Sequence, residues 1–272
     1  MTIEKLNPKY QYFAKNIQKL FCQSPKTSYL CNRITPSRHI TEKAQPAPVW
    51  AYFFKNMKQR VIVYVDGFNF YYGLKDKSHH WRRYYWLDIV GLFERFMRDD
   101  QQLVAVKYFS ARPLNNRDKY DRQATWFNAN NENPKFNLIL GRYLEKTIEC
   151  RRCHFKMKTF EEKESDVRIA TQIVSDAKSG LCDIAIVVSA DSDMKPAIEL
   201  AQLSGVKVFV YFPPNHFSNA IAGMPGMNIT QMQRYESRFR QSLLPDTVTL
   251  AKSGYVLQIP PKWKTYQPST TP

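Results

Sequence analysis

The stretch Ile184-Ala185-Ile186-Val187-Val188-Ser189-Ala190-Asp191-Ser192-Asp193 decides how the chain reads. Its apolar run shows no polar alternation, which suits a strand covered on both faces inside a parallel sheet. The run breaks into two carboxylates. Pro196, with Ala197-Ile198-Glu199-Leu200-Ala201 after it, then marks the first turn of a helix that stops at Gly205. Residues 206–212 are apolar again, so the unit is strand, acidic turn, helix, strand. Open α/β sheets gather ligands in the crevice at the carboxyl ends of their strands, where Asp191 and Asp193 fall. Two neighbouring carboxylates repel each other unless a cation or a proton lies between them.

Val61-Ile62-Val63-Tyr64-Val65 reads as a second buried strand, and it too ends in an acid, Asp66-Gly67-Phe68-Asn69. Gly67 permits a sharp turn, and Asn69 supplies a neutral oxygen or a donor. Further strands are predicted over 103–109 and 136–140, and helices over about 87–97 and 117–130. The fold expected from about Met57 onward is α/β, with a mainly parallel central sheet of about five strands flanked by helices. A helix over 167–177 follows the run Glu161-Glu162-Lys163-Glu164-Ser165-Asp166. Asp166 falls in its first turn, either as an acid that suits the helix terminus or as one more carboxylate facing the crevice.

The formal net charge of the 272 residues is +16, which favours polyanionic partners, RNA or DNA first. Lys75, Lys77, Arg82, Arg83, Arg112 and Arg117 follow the predicted strand ends and are the candidate nucleic-acid contacts. Interleaved with them are Tyr71, Tyr72, Trp81, Tyr84 and Tyr85, a mixture that suits base stacking with phosphate contact, or equally a ring-rich core. No apolar run approaches the ~20 residues needed to span a bilayer, and no signal peptide is visible, so a cytoplasmic protein without membrane contact is expected. Five scattered cysteines argue for reduced thiols. Cys150-Arg151-Arg152-Cys153-His154 is half of a zinc ligand set; without a second pair nearby, free thiols are expected unless a homo-oligomer completes the site. Residues 1–56 carry nine Lys or Arg against two acids and read as a basic extension of loop or disorder with one short amphipathic helix. It is either an arm for nucleic acid or a stretch upstream of a natural start at Met57.

Asp66 with Asn69, Asp166 after Lys163, and the Ser189-Ala190-Asp191-Ser192-Asp193 turn resemble, in this order, the NYN domain family of PIN-like nucleases and its bacterial LabA-like branch. The resemblance covers residues 57–263, including Lys207-Val208-Phe209-Val210-Tyr211-Phe212-Pro213-Pro214, Leu244-Pro245-Asp246 and the segment 260–263. It implies an NYN nuclease-like domain over 57–272 with a C-terminal extension. It implies a divalent-metal-dependent endoribonuclease that hydrolyses phosphodiester bonds, with Asp66, Asn69, Asp166, Asp191 and Asp193 as catalytic residues. The four aspartates would hold magnesium or manganese, hard cations that take oxygen ligands. The family carries Lys-Gly-x-Asp where this chain has Lys163-Glu164-Ser165-Asp166, and often a glycine at Ala190. Two rival readings are an RNA-binding regulatory protein without turnover and a small-substrate phosphohydrolase. The many cations speak against the second, since long polyanions, not small phosphates, need them.

Overall fold

The computed structural model describes residues 58–75, 79–113, 116–149 and 151–266, all within the unit that begins at Lys58. The basic extension, Lys77 and Cys150 therefore lie outside the described residues. In chain order the principal elements are β1 (Gln59–Asp66), α1 (Gly67–Leu74), α2 (Ile89–Glu94), β2 (Gln101–Ser110), α3 (Arg117–Asn130), β3 (Phe136–Leu140), β4 (Arg142–Glu149) and β5 (Lys156–Lys163). They continue with α4 (Ser165–Lys178), β6 (Ile184–Val188), α5 (Lys195–Leu203), β7 (Lys207–Phe212), α6 (Asn219–Ala222) and β8 (Asn228–Gln231). The described chain closes with α7 (Glu236–Arg240), β9 (Thr247–Thr249), β10 (Val256–Gln258) and α8 (Pro261–Lys264).

A six-stranded sheet runs in the order β3-β2-β1-β6-β7-β8, and every neighbouring pair is parallel. Side chains alternate across a strand, so Val61, Val63 and Val65 of β1 enter one core with Ile184, Ile186 and Val188 of β6. Ile62 and Tyr64 enter the other core with Ala185 and Val187. Both faces are covered, which is why these strands are continuously apolar. Phe70 and Leu74 of α1 lie in the first core, whereas Ile169 and Ile173 of α4 and Ile198 of α5 lie in the second. The helices after β1 and β6 thus leave toward opposite faces. This opens a crevice between two adjacent strands at the point where the strand order reverses.

The structure corrects the sequence reading in three places. The sheet has six strands rather than about five, because Asn228–Gln231 adds a short edge strand that a half-polar sequence conceals. The segment between β3 and α4, for which the sequence reading predicts no strand, is the antiparallel hairpin β4–β5, paired from Arg142 opposite Lys163 to Glu149 opposite Lys156. The helix expected over 87–97 is confined to Ile89–Glu94, with Asp88 as its N-cap accepting from Gly91 N at 2.9 Å.

Candidate active site

β1 ends at Asp66, whose backbone leaves the strand in an extended conformation and whose carboxylate caps α1, Oδ1 accepting from Phe68 N at 3.1 Å and Asn69 N at 3.0 Å. Asp66 is therefore held by the first turn of its own helix. The turn has room only for glycine at the next position: a Cβ on Gly67 would run into the carbonyl of Phe109 and the ring of Tyr108. On the neighbouring strand, Ser189 follows directly after β6 and its hydroxyl donates to Asp66 Oδ2 at 2.9 Å. The same hydroxyl oxygen accepts from Asp191 N at 3.0 Å, and Asp191 Oδ1 accepts from Asp193 N at 3.0 Å. Ser189 thus ties the two strand ends together, a role that its neighbours in sequence do not reveal.

The carboxylates form a gradient. Asp66 is 6% exposed, Asp191 is half-buried, and Asp166 and Asp193 lie exposed at the rim. Burial raises the Asp66 pKa from 3.8 to about 6; the hydrogen bonds from Asn69 and Ser189 oppose the rise, and the charges of Asp166 and Asp191 add to it. Asp166 is likewise raised, by partial burial first and then by Asp191 and Asp193. The structure therefore brings together the four aspartates singled out in the sequence. Among the described residues no Lys or Arg forms an ion pair with any of them.

Asn69 Oδ1 accepts from Ala190 N at 3.1 Å and contacts His216 Nδ1 at 2.9 Å. Because the Ala190 amide can only donate, the Asn69 oxygen must face it, and His216 must then carry its proton on Nδ1. His216 Nε2 is left with a lone pair, and burial lowers the His216 pKa, so the ring is neutral near pH 7. The loop that carries His216 is docked on α1 by Asn215 Nδ2 donating to the Gly73 carbonyl at 3.0 Å. Sequence reading missed His216, whose only signal is its place shortly after a strand's carboxyl end.

The two glycine departures differ physically. Glu164, which precedes α4, adopts φ +80°, a left-handed conformation that strains a residue with a Cβ. Ala190 does not take a positive φ, so its side chain brings no such strain.

Among the described residues no three His, Cys, Asp or Glu side chains stand close enough, as placed, to hold a metal ion. The set nonetheless suits a hard cation, because magnesium commonly takes one or two carboxylates and completes its shell with water and substrate phosphate. Uncompensated, mutually repelling carboxylates are the matching donor chemistry. At the hairpin tip, Cys153 is an exposed free thiol, and His154 Nδ1 lies 2.8 Å from Glu149 Oε1.

The cationic candidates separate. Lys75 and Arg82 line a cavity of about 300 Å³ that begins at Gly67 and Phe68, the two residues after Asp66. Arg83 Nε donates to the His80 carbonyl at 2.9 Å, Arg117 pairs with Asp121 at 3.1 Å, and Arg112 contacts the Tyr120 hydroxyl. Of the interleaved rings, Trp81, Tyr84 and Tyr85 are buried, while Tyr71 and Tyr72 remain exposed.

Residues 60–223, more than half of the chain, match the NYN domain family. This chain belongs to the NYN family. NYN is a nuclease-type hydrolase family with a PIN-like fold, and the parallel sheet flanked by helices agrees with it. The match takes in Asp66, Asn69, Asp166, the acidic turn after β6 and His216. The chain is also 27% identical over 191 residues to 6-hydroxy-3-succinoylpyridine 3-monooxygenase of Pseudomonas putida, covering 57% of this chain and 59% of that protein. A crystal structure of a protein of unknown function from Vibrio parahaemolyticus is similar with a TM-score of 0.44 and 20% identity, over 65% of this chain and 95% of that one. No described helix is long and apolar enough to cross a membrane.

Proposed function

We propose that this NYN protein is a divalent-metal-dependent endoribonuclease of the LabA-like branch, cytoplasmic and acting on RNA in preference to DNA. The observation that carries the proposal is that Asp66 ends β1 and Asp191 lies in the turn after the adjacent β6, at the reversal point, uncompensated by any described cation. Asp66, Asp166, Asp191 and Asp193 would hold magnesium or manganese, which supplies charge neutralisation at the phosphate and a lowered pKa for a bound water. Ser189 fixes Asp66 Oδ2 by donating to it, so a buried carboxylate keeps one orientation. Asn69 has its oxygen occupied, which leaves its Nδ2 group as a donor to a phosphate oxygen. His216 Nε2, an acceptor near pH 7, would receive a proton from water or from a ribose hydroxyl.

Cleavage of labelled single-stranded RNA with manganese, with magnesium and with chelator tests the reading. Wild type should cut only with a divalent ion, and Asp66→Asn or Asp191→Asn should cut more slowly by about 100-fold or more, as expected when several kcal/mol of transition-state stabilisation is lost. Equal cleavage by the aspartate variants would refute the metal mechanism. Binding without cutting under every divalent ion would favour an RNA-binding regulator. A second reading, action on a small heteroaromatic acid, is favoured by the cavity beside Asp66 and by the name of the Pseudomonas relative. Turnover of 6-hydroxy-3-succinoylpyridine by this chain would select it.

A further inference from the structure

The cavity of about 300 Å³ lies between α1, the end of β2, α3 and the segment around α8. Its walls include the rings of Tyr71, Tyr85, Tyr108, Trp126, Trp263 and Tyr266. Lys75, Arg82, Lys119, Arg122 and Lys262 also line it, and none of the lining residues is an acid. Tyr71 and Tyr85 stack with centroids 5.4 Å apart and planes 21° apart, and Trp263 tilts against Tyr85 at 5.6 Å. Lys75, Lys119, Arg122 and Lys262 bring like charges to one small volume, and their mutual repulsion eases when an anion enters. Aromatic walls offer the faces on which a planar ring stacks. The volume sits at the small end of ligand pockets, enough for one ring with its charged substituent and too little for a length of strand.

We infer that this cavity binds a planar heteroaromatic ring carrying an anionic group, a phosphate or a carboxylate. The ring lies among the tyrosines and tryptophans, and the anion meets Lys119 and Arg122 of α3. Two sources share this chemistry: a nucleotide unit of a nucleic acid and a free ring acid. For the nucleic-acid source the inference rests on the nuclease reading, because a base held here lies beside Asp66 through Gly67 and Phe68 and would set the register of the strand at the acids. For the free acid it stands apart from that reading.

The test is equilibrium binding to the full chain in chelator, read by tryptophan fluorescence and calorimetry so that no turnover is needed. The probes are ribonucleoside monophosphates, the matching nucleosides, inorganic phosphate and 6-hydroxy-3-succinoylpyridine. The expected result is that at least one ring anion binds roughly tenfold or more tighter than nucleoside or phosphate alone, since neither half fills both parts of the cavity. Lys119→Gln with Arg122→Gln should weaken that binding by roughly tenfold or more, as loss of charged hydrogen bonds does. Tyr266→Ala, on a half-buried ring at the margin of the core, should weaken it too, while Asp66→Asn should not. Nucleotides alone binding identifies the polymer source, and the pyridine acid alone identifies the small-molecule source. Ring anions that bind no better than phosphate, or that bind the variants as well as wild type, overturn the inference. A protein that binds ring anions but never cuts RNA keeps this inference and loses the nuclease reading. A protein that cuts RNA but binds no ring anion does the reverse.

Discussion

Asp66 is the residue on which the site turns, and its environment makes its charge costly. Its ordinary pKa of 3.8 rises to about 6 on folding because the carboxylate is buried at the strand end with other acids near it. Below pH 3.8 both folded and unfolded chains hold the proton, and the group costs nothing. Between 3.8 and about 6 only the unfolded chain releases it, so stability falls as pH rises, by about 3 kcal/mol in all, and stays lowered above that window. The predicted consequence is that Asp66→Asn melts higher than wild type at pH 8 without divalent ions. The advantage should shrink to nothing near pH 4. Thermal melts of both proteins in chelator across this range check it, and a pH-independent difference would contradict the assignment. A divalent ion at the acids should reverse the order at pH 8, since only wild type offers the charge that binds it.

At the scale of elements, α4 must hold Asp166 over the end of β1, and the means lies far along the helix. Asp176, ten residues or about 15 Å on, is buried and accepts from Tyr64 Oη of β1 at 2.8 Å and from Lys107 Nζ of β2 at 2.6 Å. Gln172 Nε2 of α4 donates to the other carboxylate oxygen at 2.9 Å. One carboxylate thus pins the helix to β1, which carries Asp66, and to its neighbour β2. Removing one partner of a buried ion pair leaves the other unpaired, so Asp176→Ala is expected to cost about 3–5 kcal/mol. Lys107→Met in the same chain should recover part of that loss. Urea unfolding of the single and double variants measures both, and additive losses would show that the two side chains do not act as a pair.

On the scale of the whole molecule, residues beyond the family segment are part of the core. Phe239 is fully buried between Trp81, Tyr84 and Phe70, with ring centroids 5.2, 5.6 and 6.3 Å away. Trp86 Nε1 donates to the Pro245 carbonyl at 2.8 Å, and Leu244 N donates to the Trp86 carbonyl at 3.0 Å. Ending the chain at Gly223 removes Met232, Phe239, Leu257 and Ile259, all buried. Four such side chains contribute about 6–12 kcal/mol, comparable with the entire stability of a domain. The shortened chain is predicted to show no cooperative transition in calorimetry. A normal melt would mean that the C-terminal segment merely covers a self-sufficient fold.

Much of the fold is encoded locally. The apolar runs of β1 and β6, the acids that end them, and the helix signals at Pro196 and Gly205 depend on neighbours in sequence, so the α/β class and the acids Asp66, Asp191 and Asp193 at the strand ends are legible in the chain itself, whereas Asp166 reads equally as a helix-terminus acid. The α3 helix also falls where its periodicity places it. The pairing of those parts is not legible there. That β1 lies beside β6, at the reversal of strand order, is decided by hydrogen bonding between segments more than a hundred residues apart. Only that pairing lets Ser189 reach Asp66 and Asn69 meet Ala190 and His216. The edge strand Asn228–Gln231 and the β4–β5 hairpin escape the pattern because neither is a continuous apolar run; their partners define them. The rings after β1 show the same division: composition places them near the site, but burial against Phe239 and the C-terminal segment decides which become core and which stay exposed. A strand's period is local to its own chain, whereas strand order and the crevice it opens arise from packing both faces of the sheet at once.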